Sequence, residues 1–317
     1  MNVTLPEQVE RFRADVVALS AGEGRFGLAV SGGPDSLALL LLARAAFPER
    51  IAAATVDHRL RPESAAEASF VAGICAELGV PHTILSADEP IQGNLQAGAR
   101  ALRYRLLGRW AAQERLGPIL TGHHADDQAE TLLMRLNRGA GLSGLAGIRA
   151  ATAIEGVPVI RPLLGWRRAE LAGIVRDAGV APVEDPANAD PRFDRARLRA
   201  ALAKAEWLDP VALARSAGAL AEAEAALDWA TERLVEERIE PVDGGVTLDP
   251  AQIPAELRRR LLLHILAMLA PAGPPRGDAI QRLLAALEAG ETSTLAGVKA
   301  QGGAIWRFAP APPRARR

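Results

Sequence analysis

A short polar loop between two apolar segments carries residue types that bind phosphate. Ser31-Gly32-Gly33-Pro34-Asp35-Ser36 follows the apolar run Phe26–Val30 and precedes Leu37–Leu42. The glycines let the backbone approach an anion, the serine hydroxyls donate hydrogen bonds, and the N-terminus of the next helix adds partial positive charge. Asp35 would repel phosphates unless a divalent cation such as Mg²⁺ lay between them. The loop therefore predicts a site for a nucleotide phosphate chain, with Asp35 as the metal ligand.

A second polar cluster, Thr121–Thr131, contains two histidines, two aspartates, a glutamine and a glutamate. If a helix begins near Asp126, then Asp127 and Glu130 share one of its faces, and His123 stands on the loop that leads to it. Acidic residues are normal in a first helical turn, but this cluster exceeds what capping needs. Both a metal site and an acid pair that grips an ammonium group fit the spacing.

Arginines recur one helical turn apart in two further segments. Arg100 and Arg103 are one such pair, and Arg195 and Arg199 are the other. The first pair fits an anion clamp, with solvated arginines as the alternative, and surface salt bridging would explain either arginine of the second pair. His58 follows another predicted strand, at the sheet edge where ligands of α/β folds bind.

The elements that position these residues alternate along the first two hundred residues. Short apolar runs at Phe26–Val30, Ile51–Val56, His82–Ser86 and Pro118–Thr121 predict parallel strands buried on both faces. Amphipathic stretches such as Ala65–Leu78 lie between them and predict helices. The pattern predicts an α/β fold with a doubly wound, mainly parallel sheet.

The pattern changes after Pro210. Leucines recur every seven residues from Leu213 to Leu234, which predicts one long linker helix. Helices at Ala255–Leu269 and Gly277–Ala289 and a hairpin within Thr294–Phe308 predict a small C-terminal α+β domain. We therefore predict a catalytic domain at 1–209, a linker helix at 210–240 and a small domain at 241–317.

The composition excludes several classes of mechanism. Cys75 is the single cysteine, which excludes a disulfide framework, a cysteine-rich zinc site and any mechanism that needs two thiols. The two lysines are Lys204 and Lys299, so a phosphate-binding loop of the Walker type, with its lysine, is absent. The first twenty residues lack the features of a secretory signal, and no run is long enough to cross a bilayer, so we expect a cytoplasmic protein.

The near-neutral total of 37 basic and 38 acidic residues hides a local asymmetry. Residues 215–250 contain 3 arginines against 9 acids, whereas residues 251–317 contain 10 basic residues against 4 acids. A basic segment is a candidate surface for a polyanion, with Arg258, Arg259 and Arg260 as candidate phosphate contacts. The competing interpretation is that the acidic helix pairs with these arginines.

The ordered motifs resemble those of the tRNA(Ile)-lysidine synthase family. The loop at 31–36 resembles the pyrophosphate-loop (PP-loop) signature Ser-Gly-Gly-x-Asp-Ser of enzymes that split ATP between its α and β phosphates. The resemblance is close over residues 25–200, and the C-terminal third matches in outline, as in a short-form member that lacks the family's second C-terminal domain. The other motifs that carry it are Val56–Arg61, Ala99–Tyr104, His123–Thr131, Asn137–Leu145, Arg161–Leu164 and Asp185–Asn188.

The resemblance implies an adenine nucleotide α-hydrolase-like fold and an ATP-dependent ligase. Such an enzyme adenylates the wobble cytidine of the CAU anticodon of tRNA(Ile), and L-lysine then displaces AMP to give lysidine. By motif position, residues Ser31 to Ser36 would bind the ATP phosphates, and Asp35 would bind Mg²⁺. Asp127 and Glu130 would hold the lysine ammonium group or a metal ion. The groups that would contact AMP or the activated base are His123, Arg103 and Arg195.

Two other functions stay open at this point. A related tRNA thiolase or amide-forming synthetase would share the loop, although a lone cysteine argues against thiolation. A non-catalytic adenine-nucleotide sensor is the second alternative, and it has no need of two carboxylates near the phosphates. The family resemblance also allows a homodimer.

Overall fold

The computed structural model describes residues 5–20, 24–59, 63–86, 95–183, 192, 194–205, 207–269 and 278–311, with the backbone alone at 95–97. The chain divides into two compact units, Met1–Ala221 and Glu222–Arg317. The division falls within a helix, Pro210–Arg238, that spans the predicted linker. The predicted domain boundaries at 209 and 240 stay predictions.

The first unit is built on a six-stranded sheet. Its strands are β1 (Phe26–Ala29), β2 (Ile51–Asp57), β3 (His82–Ser86), β4 (Ile119–Leu120), β5 (Ala151–Ile154) and β6 (Val157–Ile160). They lie in the order β3-β2-β1-β4-β6-β5. All neighbours are parallel except β5, which pairs antiparallel with β6. Because β2 and β4 flank β1 on opposite sides, the strand order reverses at β1, where ligands of open α/β sheets bind.

Helices cover both faces of this sheet. They are α1 (Pro6–Leu19), α2 (Pro34–Ala46), α3 (Ser64–Glu77), α4 (Leu95–Gln113), α5 (Ala125–Leu136), α6 (Leu142–Leu145), α7 (Arg168–Asp177) and α8 (Asp194–Leu202), followed by α9 (Pro210–Arg238). Alternate residues of β2 contribute to two separate cores, Ala53 on one face and Ala52 with Ala54 on the other. This division confirms the doubly wound α/β fold.

One strand departs from the expected burial. β1, β2 and β4 are largely buried, but β3 is the edge strand and its Ile84 is 41% exposed. The β5–β6 hairpin was not predicted, although its turn, Glu155-Gly156, has positive φ at both residues (51° and 75°). Among the described residues, none of the helices combines the length and apolar character needed to cross a bilayer.

The described part of the second unit contains the end of α9, a five-stranded antiparallel sheet and two further helices. The strands are β7 (Ile239–Val242), β8 (Gly245–Leu248), β9 (Thr292–Leu295), β10 (Val298–Gln301) and β11 (Trp306–Pro310), in the order β7-β8-β11-β10-β9, and the helices are α10 (Ala255–Leu269) and α11 (Ala279–Glu288). Trp306 and Phe308 are buried with the apolar residues of α10 and α11. The hairpin predicted within Thr294–Phe308 is present, since β10 and β11 pair antiparallel on either side of Gly302-Gly303. The β7–β8 hairpin was missed.

The three consecutive arginines of α10 have acidic partners. Arg260 is 9% exposed and pairs with Glu224, Asp228 and Glu256. Arg259 also pairs with Glu256, and Arg258 pairs with Glu288 at 3.0 Å. The acidic helix, α9, therefore supplies partners for Arg260, as the second interpretation of the charge pattern predicts.

Candidate active site

The loop at 31–33 joins β1 to α2 and leaves the start of that helix open. Gly33 is the N-cap residue and has no side chain, so it does not satisfy the first N–H groups of α2. Gly32 has φ +84°, and a Cβ there would lie 3.2 Å from Val71 and Val183. Ser36 Oγ accepts a hydrogen bond from Ser31 N–H at 3.1 Å and donates to Gly33 O at 3.0 Å. These contacts fix a loop whose free N–H groups suit an anion.

Asp35 lies in the first turn of α2, beside this loop. Its side chain is 33% exposed, yet its Oδ1 atom is buried and has no hydrogen-bond partner within the described parts of the chain. Its Oδ2 atom lies 3.4 Å from His124 Nε2. A buried carboxylate oxygen without a partner is uncommon, and a divalent cation would satisfy it.

The loop after β4 approaches the PP loop closely and then opens α5. A Cβ at Gly122 would lie 2.9 Å from the Asp35 carbonyl oxygen, so only glycine lets the two backbones pack here. His123 Nδ1 lies 2.9 Å from Thr121 Oγ1. His124 is the N-cap of α5 and is fully buried, and its Nδ1 accepts a hydrogen bond from Asp127 N–H.

The two carboxylates on α5 have different surroundings. Glu130 is 1% exposed and accepts hydrogen bonds from Arg168, Arg195 and Arg199. Burial raises the pKa of Glu130, but the hydrogen bonds and charges of Arg199 and Arg195 outweigh it and lower the pKa to about 2. Asp127 is more accessible and accepts from Arg195 at 2.8 Å. Glu130 is therefore ionised at neutral pH and paired with three arginines.

These elements surround a cavity of about 610 Å³ at the carboxyl ends of β1, β2 and β4. Gly32 and Glu130, although predicted with the others, belong to the surrounding structure and not to the cavity lining. The predicted site residues that line it are Ser31, Gly33, Pro34, Asp35, Ser36, Arg103, His123, Asp127 and Arg195.

The cavity is rich in guanidinium groups and holds a neutral imidazole. Arg100 and Arg103 line it beside Arg195, and Arg103 Nε donates to His58 Nε2 at 3.3 Å. Burial lowers the pKa of His123 to about 4, against the opposing charge of Asp127 and with help from nearby arginines. At neutral pH, His123 is therefore uncharged, and the arginines favour a polyanion.

Sequence reasoning missed three residues that shape this site. His124, Arg168 and Arg161 were not assigned roles, yet His124 faces Asp35, Arg168 binds Glu130, and Arg161 is 3% exposed with its charge close to His123. The position of His124 just before the acidic helix was an available signal for an N-cap. The motif at 185–188 and the end of the motif at 56–61 lie outside the described residues.

Comparisons with known proteins give the family. The model of the PP-loop domain, an ATP-binding domain, matches residues 1–206. The chain is 50% identical to a tRNA(Ile)-lysidine synthase of Novosphingobium aromaticivorans, over 98% of this chain and 95% of that protein. It is 45% identical to a tRNA(Ile)-lysidine synthase of Zymomonas mobilis, over 92% and 90%.

A solved structure shares the fold. The U34-tRNA thiolase NcsA from Methanococcus maripaludis, with its [4Fe-4S] cluster, superposes with a TM-score of 0.55. The match covers 68% of this chain and 78% of that one at 18% identity, so it supports the fold alone. Together with the matched domain and the two relatives, the loop and the sheet topology establish that the chain belongs to the tRNA(Ile)-lysidine synthase family of PP-loop proteins.

Proposed function

We propose that this chain ligates L-lysine to the wobble cytidine of the CAU anticodon of tRNA(Ile), in an ATP-dependent reaction that forms lysidine. The cytidine carbonyl oxygen attacks the α-phosphorus of ATP, and pyrophosphate leaves. The ε-amino nitrogen of lysine then bonds to the same carbonyl carbon and loses a proton, and AMP departs with the oxygen. One observation carries this proposal: a single cavity brings together the PP loop, the Asp127 carboxylate and the neutral His123 imidazole.

The PP loop and Asp35 form the nucleotide end of the cavity in this proposal. The N–H groups at the start of α2 bind the phosphates, and Ser31 and Ser36 add hydroxyl donors once phosphate is present. The buried, unpartnered Oδ1 of Asp35 fits Mg²⁺, which proteins hold through one or two carboxylates together with substrate phosphates. Bound Mg²⁺ would stabilise the negative charge that develops on the departing pyrophosphate.

Asp127 and His123 form the amine end. Asp127 lines the cavity and orients the lysine ammonium group by charge. His123, neutral at the pH of the cell, accepts a proton as the amine becomes a nucleophile. Arg103 and Arg195 line the same cavity and hold AMP or the activated base.

In this proposal, Glu130 does not bind lysine or a metal ion, although the family resemblance implies that it could. Its carboxylate already accepts from three arginines and is 1% exposed, which leaves little room for a substrate ammonium group. In this proposal, Glu130 fixes Arg195 and Arg199 beside the cavity, and Asp127 alone of the pair contacts lysine.

The second unit contributes contacts to the tRNA backbone in this proposal. Because Arg258, Arg259 and Arg260 are ion-paired, the exposed face of the five-stranded sheet is a better candidate surface. Lys299 and Arg307 project from this face, and neither has an acidic partner among the described residues. Phosphate contacts of this kind add affinity and orientation without reading sequence.

The alternative functions fit the site less well. Sulfur transfer needs reactive cysteines, but the single cysteine, Cys75, is buried, and burial raises its pKa to about 11. An amide-forming synthetase would share the PP loop but would not need tRNA. A nucleotide sensor gains nothing from a second carboxylate, that of Asp127, in the cavity.

The deciding experiment supplies ATP, labelled lysine and tRNA transcripts to the purified protein. We expect label to enter tRNA(Ile) with a CAU anticodon, with pyrophosphate released only when that tRNA is present. A transcript with the wobble cytidine changed to uridine is the matched control and should stay unlabelled. Label in neither transcript, or pyrophosphate release without tRNA, would reject the proposal.

Two further expectations concern the protein in the cell. We propose a cytoplasmic location, where tRNA, ATP and free lysine are available together. We also retain the homodimer as a prediction, which sedimentation of the full chain would test.

A further inference from the structure

One buried side chain, behind the residues that line the cavity, has no part in the reaction proposed above. His124 is fully buried at the start of α5, and three carboxylates surround its ring. Nε2 lies 3.4 Å from Asp35 Oδ2 and 3.6 Å from Asp127 Oδ2, and Nδ1 lies 3.6 Å from Asp126 Oδ2. A capping role accounts for Nδ1 but leaves the other ring nitrogen unexplained.

The capping hydrogen bond determines which ring nitrogen carries the proton. Nδ1 accepts from Asp127 N–H, so it presents a lone pair and has no hydrogen. In the neutral ring the hydrogen is then on Nε2, which is the nitrogen that faces Asp35. Nε2 is buried and has no well-formed hydrogen bond among the described residues, so a donor is held ready beside the Asp35 carboxylate.

The surrounding backbone keeps this donor in place. Gly122 packs so closely on the backbone of Asp35 and Ser36 that a Cβ would lie 2.9 to 3.2 Å from their atoms. His124 follows two residues later, and its own N–H donates to Asp127 Oδ2 at 3.2 Å. The loop after β4 and the start of α2 are thereby fixed against each other, with the imidazole between the nucleotide end and the amine end.

We propose that His124 is a positioning residue that orients the Asp35 carboxylate for Mg²⁺ and ATP. Nε2–H, 3.4 Å from Oδ2, would draw that oxygen into a hydrogen bond when the cation binds and would leave the unpartnered Oδ1 to bind the cation. This inference rests on the proposed function for the role of Asp35. In this arrangement, the N-cap residue of α5 contacts the metal-binding carboxylate of Asp35. The same ring nitrogen also lies beside Asp127, so it connects the two carboxylates.

Two conservative variants separate positioning from capping. In His124→Asn, the amide oxygen replaces Nδ1 as the cap acceptor, but no donor reaches Asp35. In His124→Gln, the longer amide places its NH₂ group near the position of Nε2, but the cap acceptor is lost. The melting temperature measures the loss of stability when the helix cap is removed. Calorimetric titration with ATP, once in Mg²⁺ and once in EDTA, measures whether the affinity for the nucleotide changes only when the metal is present.

We expect His124→Asn to melt closer to the wild type than His124→Gln does, and to weaken binding of ATP with Mg²⁺ by about 10-fold or more, as for other residues that orient a metal ligand. Its binding of ATP in EDTA should not change. His124→Gln should melt at a lower temperature but bind ATP with Mg²⁺ more tightly than His124→Asn does. Wild-type affinity in His124→Asn, or equal losses in both variants, would overturn the inference.

A measurement on the wild-type protein does not depend on how the variants fold. Long-range ¹H–¹⁵N correlation spectra of the imidazoles should place the His124 hydrogen on Nε2, and a hydrogen on Nδ1 would overturn the inference. The proposed function is tested separately by lysine incorporation into tRNA. If the wild type forms no lysidine, that proposal fails, while the nucleotide titrations still decide the role of His124.

Discussion

Changing the buried carboxylate of Glu130 to an amide should destabilise the first unit strongly. Burial alone would raise its pKa, but hydrogen bonds from Arg199 and Arg195 lower it from 4.5 to about 2. One pKa unit corresponds to about 1.4 kcal/mol of difference between the protonation states. Since Glu130 is 1% exposed, water screens this interaction little, and the ionised carboxylate stabilises the fold by about 3 kcal/mol at pH 7.

The pH dependence of this stabilisation has a definite sign. The pKa of Glu130 is depressed in the folded protein, so the unfolded chain binds a proton more readily than the folded chain does. The stabilisation is therefore complete above the unfolded pKa of 4.5 and is lost as the pH falls through about 2. At pH 3, less than roughly half of it should remain.

Urea denaturation of the wild type and Glu130→Gln at pH 7 and pH 3 measures the effect. The variant should lose about 3 kcal/mol at pH 7, and the difference should shrink at pH 3. Glu10→Gln is the matched control, because Glu10 is 71% exposed and pairs with Arg13 at 3.5 Å. It should cost less than about 1 kcal/mol. An equally small loss in Glu130→Gln, or a loss independent of pH, would refute the reasoning.

Three further variants test the proposed roles. Asp35→Asn should fold normally and release no pyrophosphate, because a neutral amide binds Mg²⁺ poorly; near-normal release would contradict its assignment. Asp127→Asn should raise the KM for lysine more than the KM for ATP in steady-state assays, and a rise for ATP alone would assign it to the nucleotide. Reversing the charge of both Lys299 and Arg307 should make the slope of log K for tRNA against log salt shallower by about 2, if each contacts one phosphate. An unchanged slope would remove this face from the tRNA surface.

Local pattern was enough to predict four of the six strands of the main sheet and the PP loop that follows β1. Four short apolar runs in the first unit correspond to β1, β2, β3 and β4 within one or two residues. The spacing of Asp127 and Glu130 correctly predicts one helical face, since both lie on α5. These features depend on neighbours close in the sequence, where periodicity and glycine content are informative.

Features that depend on distant partners could not be predicted in the same way. The arginines that surround Glu130 lie 38 to 69 residues away along the chain, so spacing on α5 gives no sign of them. Arg260 likewise pairs with Glu224, 36 residues away. The edge position of β3 depends on strand order, which its apolar sequence does not encode. The Asp243-Gly244 turn was a local signal for the missed β7–β8 hairpin.

The different surroundings of the two α5 carboxylates follow from their depth below the cavity surface. Glu130 lies one turn beyond Asp127, where water is excluded and an unpaired charge would cost several kcal/mol. Arginines from α7 and α8 must therefore neutralise Glu130, and in doing so Arg195 reaches back to Asp127 at 2.8 Å. Asp127 and Glu130 therefore both pair with Arg195. The other oxygen of Asp127 accepts a hydrogen bond from His124 N–H, and Asp127 still lines the cavity. One helix face thereby supplies both a buried anchor for the arginines and an accessible carboxylate for an amine, which explains why its two acids should respond differently to the same substitution.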